Sequence, residues 1–118
     1  MEINWLELRS TNDIDDVIRR SFSVPCLLFK HSTRCEISAI AKYRLEDDWD
    51  FEEDTLEAYF LDLIKYREVS NYIAESFSVH HESPQALLIY KGECVFDVSH
   101  LDISVPELKE AMALETVN

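Results

Sequence analysis

The chain has 118 residues and sets 11 basic against 24 acidic side chains, a net charge of −13, with a sequence pI near 4.5. That length holds one domain with one modest core, expected to span residues 1–118, and an apolar share of 47% excludes a disordered chain. The charge excludes nucleic acid and anionic membrane faces as partners, because their phosphates repel such a surface.

At the start of the chain, Met1-Glu2-Ile3-Asn4-Trp5 has neither the basic start nor the apolar stretch of a signal peptide. No segment reaches the roughly 18–20 apolar residues of a membrane span. A cytosolic location is expected, where thiols are kept reduced. Three cysteines, an odd number, do not suit a disulfide framework, so at least one thiol should be free.

Thr11-Asn12-Asp13 offers capping residues before Ile14, Val17, Ile18 and Phe22, which recur at helical spacing and predict a helix over 13–22. Val24 to His31 is largely apolar and reads as a central strand, with Pro25 tolerated at its first residues. Ser32-Thr33-Arg34 supplies N-cap candidates, and Ile37, Ile40, Ala41 and Leu45 predict a second helix from Cys35 to about Trp49. Its acidic end, Glu46 to Asp54, reads as a solvated helix end and loop, with a docking patch for a basic partner as the alternative. Thr55 to Asp62 reads as a second strand and Tyr66 to Phe77 as a third helix.

Gln85 to Tyr90 reads as a third strand. Lys91-Gly92 holds the only glycine and predicts a tight turn into a fourth strand, Glu93 to Ser99. There Cys94, Phe96 and Val98 alternate against Glu93, Val95 and Asp97. Ser104 with Glu107 resembles a capping box opening a last helix to about Leu114. The order α-β-α-β-α-β-β-α predicts an α/β domain with a mixed four-stranded sheet flanked by helices. That is a thioredoxin-like outline, although the pattern alone leaves ferredoxin-like topologies open.

Cys35 falls at the head of the second helix. A free thiol is only a few per cent ionised at neutral pH, and a helix N-terminus with unpaired N–H groups favours the thiolate. Lys30, His31 and Arg34 add nearby positive or protonatable groups, and Ser32 and Thr33 are candidates to cap the helix or donate to sulfur. One turn on from Cys35, where a dithiol oxidoreductase carries its second cysteine, stands Ser38. A mixed disulfide formed at Cys35 would then need an external thiol to resolve it. From these residues alone Cys35 is either a reactive thiol or an ordinary buried one.

Cys26 lies about 17 Å before His31, at about 3.3 Å per residue, and Cys94 follows the turn at the sheet's far end. Both read as core thiols. Ser83-Pro84 precedes the third strand. In a thioredoxin-like sheet this point faces the helix-borne thiol and its proline is typically cis, forming a backbone ledge for an extended thiol substrate. An ordinary trans proline is the alternative. His80 and His81 have no second cluster at ligand spacing, so they read as solvated loop histidines and no metal is expected.

Phe29-Lys30-His31-Ser32-Thr33-Arg34-Cys35 followed by Ile37-Ser38 resembles the active-site signature of the monothiol bacilliredoxins, the YtxJ-like group of thioredoxin-fold proteins. His81-Glu82-Ser83-Pro84-Gln85, leading through Leu87-Leu88-Ile89 and Gly92 to Ser99-His100, is similar to a second block of that family. The resemblance implies a bacterial thiol–disulfide oxidoreductase with bacillithiol, a cysteine-bearing sugar malate, as co-substrate and no bound cofactor. Cys35 would be the nucleophile, with Ser38, Arg34 and Thr33 around it. His31, Ser83 and Pro84 would contact substrate, and bacillithiolated or otherwise S-thiolated proteins would be the partners. Glu36 departs from the proline or small residue that the family often carries there. A carboxylate in the first turn suits the helix dipole, yet it opposes ionisation of the neighbouring thiol. A binding or stress module with an idle thiol, and a redox sensor that stores oxidation on Cys35, are the rival functions.

Overall fold

The computed structural model describes residues 2–116. Its elements are β1 (Leu6–Glu7), α1 (Thr11–Arg20), β2 (Cys26–His31), α2 (Glu36–Asp48), β3 (Glu57–Asp62), α3 (Arg67–Phe77), β4 (Gln85–Tyr90), β5 (Glu93–Ser99), a 3-10 turn (His100–Asp102) and α4 (Val105–Thr116). Every predicted element is present, with ends displaced by a few residues. The first helix begins earlier than expected because Ser10, rather than a residue of Thr11-Asn12-Asp13, is its N-cap. Ser10 Oγ accepts from the Asp13 N–H at 3.3 Å while an Asp13 carboxylate oxygen accepts from the Ser10 N–H at 3.1 Å. This reciprocal box satisfies two otherwise orphaned donors and is worth about 1 kcal/mol.

The sheet has five strands, not the expected four, in the order β1-β3-β2-β4-β5. The additional strand pairs Leu6 with Tyr59 and Glu7 with Phe60, parallel to β3. Both of its residues are exposed, so the sequence carries no alternation there that could announce a strand. β2 lies between β3, to which it runs parallel, and β4, to which it runs antiparallel. That central place explains why all six of its residues are buried.

Successive residues of β2 point to opposite faces, and this alternation separates two cores. Leu27 and Phe29 pack with Ala41, Leu45 and Trp49 from α2 and its end and with Val105, Leu108 and Ala111 of α4. Cys26 and Leu28 pack with Ile14 and Val17 of α1 and with Val69 and Ile73 of α3. Each fully buried leucine contributes about 1.5–3 kcal/mol relative to exposure. Two helices on each face of a mixed sheet complete the architecture.

The β4–β5 turn has Lys91 at φ 52° and Gly92 at φ 81°, the left-handed pair that a two-residue hairpin favours. The even alternation expected along β5 does not hold. Leu88 pairs with Phe96 but Ile89 pairs with Cys94, leaving Val95 as a bulge. Cys94 is thereby turned into the α1/α3 core, while Phe96 and Val98 face the α2/α4 core. A bulge inserts one residue and flips the remaining side chains, which no period-2 reading can anticipate.

Candidate active site

The thiol of interest is set by the end of β2. Beyond His31 the chain closes a tight turn in which the Cys35 N–H donates to the Ser32 carbonyl at 3.2 Å. Ser32 Oγ accepts from the Arg34 N–H at 3.4 Å, the local side-chain bond for which serine is favoured in turns. Cys35 is the N-cap of α2, extended at φ −118° and ψ 120°, with its carbonyl accepting from the Ala39 N–H at 3.2 Å. Ser32 and Thr33, the expected caps, precede the helix and do not cap it, since the turn bends the chain before α2 begins.

Cys35 is half-exposed, and the flanking Thr33, Arg34 and Glu36 are exposed. The sulfur is free, as are those of Cys26 and Cys94, and it makes no capping hydrogen bond with the helix among the described residues. It stands at the end of α2 where the first-turn N–H groups lack intrahelical partners.

Ser38 is fully buried. Its Oγ accepts from the Ser32 N–H at 3.0 Å and lies 2.7 Å from His31 Nδ1. The hydroxyl one turn beyond Cys35 is therefore engaged in fixing the β2–α2 turn. His31 is buried, with ring centroids 6.0 Å from Phe29 and 5.4 Å from Phe60. Burial, and then the Lys42 charge, push its pKa down, against Asp62 and Ser38, which raise it. The neutral imidazole is favoured, and the ring is a packed member of the turn.

Lys30 does not join the thiol's charged surroundings. It follows Phe29 on β2, so it points into the α1/α3 layer, where it is fully buried. Its Nζ donates to the Ser70 carbonyl and to His81 Nδ1, each at 3.2 Å. Burial holds its pKa down at about 8. His81, expected as a solvated loop residue, is instead half-buried, with Nδ1 also 3.4 Å from Ser70 Oγ. Burial and then Lys30 push its pKa down. The signal for this contact was a lysine inside an otherwise buried strand, because such a charge requires polar partners. His80 is exposed as expected, and among the described residues no cluster of three or more His, Cys, Asp or Glu is placed to hold a metal.

Ser83 and Pro84 lie at the same end of the sheet. Lys30 pairs with Gln85 across β2 and β4, so one step further along this antiparallel pair puts Pro84 beside His31. The Ser83–Pro84 peptide bond is cis, and the Pro84 carbonyl accepts from the His100 N–H at 3.0 Å. The fold thus brings His31, Ser38 and Cys35 together on one connection and sets Ser83–Pro84 alongside it. Cys26 and Cys94 sit elsewhere. Both are in register with Ile89, on either side of β4, toward the opposite end of the strands. Burial raises the Cys26 thiol to about 12 and the Cys94 thiol to about 11, so both stay protonated.

A lone thiol at the head of the helix that follows a central strand, with a cis-proline at the entry of the neighbouring antiparallel strand, defines a thioredoxin-fold thiol–disulfide oxidoreductase. Residues 6–108 match the family described as Monothiol bacilliredoxin BrxC, and the chain belongs to that family. A solved structure described as a candidate oxidoreductase with a thioredoxin fold is 34% identical, with 91% of this chain and 92% of that one covered, at a TM-score of 0.79. Thioredoxin from Trypanosoma brucei brucei is 10% identical over 100% and 96% of the chains, at a TM-score of 0.76. Thioredoxin from Fasciola hepatica is 17% identical over 91% and 95%, at 0.68. These two thioredoxins share the fold.

Proposed function

We propose that the protein removes a small thiol, bacillithiol in the first instance, from protein mixed disulfides through a mixed disulfide on Cys35. The observation that carries this reading is the pairing of a half-exposed Cys35 at the N-cap of α2 with a Ser38 whose buried hydroxyl is already bonded. In the first step the Cys35 thiolate attacks the small-thiol sulfur of the mixed disulfide. The bond between that sulfur and the client breaks, a Cys35–small-thiol disulfide forms, and the client leaves as a thiolate that takes up a proton. Ser38 cannot attack this disulfide. A second low-molecular-weight thiol therefore attacks the small-thiol sulfur, releases the Cys35 thiolate and carries away the oxidation as a symmetric disulfide.

Arg34 and Thr33, exposed beside Cys35, and the Ser83–Pro84 backbone would contact the incoming disulfide, with His31 packed behind them. Bacillithiolated or otherwise S-thiolated proteins are the partners on this reading, and the reducing cytosol is the compartment that would supply the resolving thiol. The test is to incubate the protein with a bacillithiolated client and follow the adduct by mass spectrometry. Transfer onto the Cys35 peptide is expected, with none in Cys35→Ala. Equal transfer in that variant would refute the mechanism.

A further inference from the structure

His81 and Lys30 belong to different elements and meet away from the thiol. α3 ends at Phe77, its C-cap Ser78 adopts φ 55°, and the chain then runs through residues 79–84 to β4. Three side chains grip this connection from the α1/α3 side. Lys30 Nζ donates to His81 Nδ1 at 3.2 Å. Ser70, whose carbonyl takes a second Lys30 proton, places its Oγ 3.4 Å from the same ring nitrogen. Gln85, directly opposite Lys30 across the sheet, donates from Nε2 to the His80 carbonyl at 3.0 Å. Lys30 and Gln85 are fully buried, so the inner side of these part-buried bonds is closed to water.

While Lys30 is an ammonium it has no acceptor capacity, so it donates in this bond. His81 Nδ1 is then the acceptor, and the neutral ring carries its proton on Nε2. Three residues beyond His81 stands Pro84, beside His31 at the end of the sheet that carries Cys35. The other side of the same connection is held by the Pro84 carbonyl accepting from the His100 N–H at 3.0 Å.

We infer that Lys30 and His81 are positioning residues for disulfide exchange: their hydrogen bond fastens the 79–84 connection to β2 and α3, so that Ser83–Pro84 meets the incoming disulfide at a fixed distance from Cys35. The inference rests on the reading of Cys35 as the exchanging thiol. It differs from a purely structural role because it separates two properties of the site. Docking of an extended mixed disulfide depends on where Ser83–Pro84 lies. Reaction of Cys35 with a small alkylating agent, which needs no ledge, does not.

The test compares His81→Leu, His81→Asn and Lys30→Met. The asparagine amide oxygen can stand near the Nδ1 position and accept from Lys30, whereas leucine cannot. With a peptide carrying bacillithiol on cysteine as substrate, His81→Leu should raise KM about tenfold, the scale of one lost charge-assisted hydrogen bond. Its iodoacetamide reaction at Cys35 should stay within about twofold of wild type. His81→Asn should restore KM to within about threefold. Lys30→Met, which also loses the Ser70 bond, should raise KM at least as much as His81→Leu, and the double variant should be no worse than Lys30→Met, because the His81 bond is already gone. Nitrogen-15 NMR of the wild-type ring should show an unprotonated Nδ1.

An unchanged KM in His81→Leu overturns the inference, as does an asparagine variant impaired like leucine, alkylation that falls in parallel with exchange, or a protonated Nδ1. No transfer by the wild-type protein overturns the reductase reading and this role with it. Transfer by wild type that His81→Leu leaves intact overturns this role alone.

Discussion

Lys30→Met replaces a fully buried ammonium with an unbranched apolar side chain that can follow much the same path through the α1/α3 core. In the folded protein burial lowers the Lys30 pKa from 10.5 to about 8, which corresponds to about 3 kcal/mol disfavouring the charged amine relative to the unfolded chain. The sign follows from proton linkage. Between about pH 8 and 10.5 the unfolded chain holds the proton that the folded one has released, so the Lys30 contribution to stability rises with pH by up to about 1.4 kcal/mol per pH unit. Cys26 and Cys94 act in the opposite direction. Their folded thiols titrate near 12 and 11, so above about pH 8.5 the unfolded chain loses those protons first and stability falls. Both thiols persist in the variant, and subtracting its stability from that of wild type cancels them. Urea denaturation of both proteins at pH 7, 8, 9 and 10 under reducing conditions measures this difference. It should shift in favour of wild type by about 2–3 kcal/mol from pH 7 to 10. The offset at pH 7 also contains the loss of the Lys30 bonds to the Ser70 carbonyl and His81 Nδ1, about 1–3 kcal/mol each, but those terms do not set the slope. A flat or falling difference would refute the claim that the buried amine is held down by its surroundings.

Because burial keeps the Cys26 and Cys94 thiols protonated, iodoacetamide at pH 8 should label Cys35 first. Peptide mapping that finds Cys94 modified at the same rate would contradict this ordering. Ser38→Ala removes a buried hydroxyl that bonds the Ser32 N–H and lies against His31 Nδ1, so unfolding free energy should fall by about 1–3 kcal/mol, and a loss under about 0.5 kcal/mol in chemical denaturation would show those bonds to be dispensable. Gly92→Ala places a methyl group at φ 81°, 3.1 Å from the Phe22 ring. A loss of about 1–2 kcal/mol is expected, read as a lower thermal midpoint, and an unchanged midpoint would show that the turn relaxes freely.

The parts of the fold that were legible in the sequence are those announced by local pattern. The unbroken apolar run of β2, the Lys91-Gly92 turn and the helical spacing after Cys35 each have a direct physical cause, and together they place the thiol at the head of α2. Ser83–Pro84 was legible as a strand entry, while the choice between cis and trans was open until the backbone was seen. What escaped depends on pairing across the chain. Leu6–Glu7 become a strand only because the β3 edge offers Tyr59 and Phe60 as partners. The Val95 bulge is a property of two strands in register. The engagement of His81 follows from Lys30 facing away from α2, which a sequence window around Cys35 cannot convey.

Lys30 and His31 are neighbours on the central strand, and alternation sends them to opposite layers. One reaches α3 and the 79–84 connection, the other reaches Ser38 in α2. The 79–84 connection and the β2–α2 turn are therefore each tied to one of two consecutive residues of the central strand. Neither segment can move away without breaking its bond to that strand. A displacement of one segment is therefore passed to the other through a single strand.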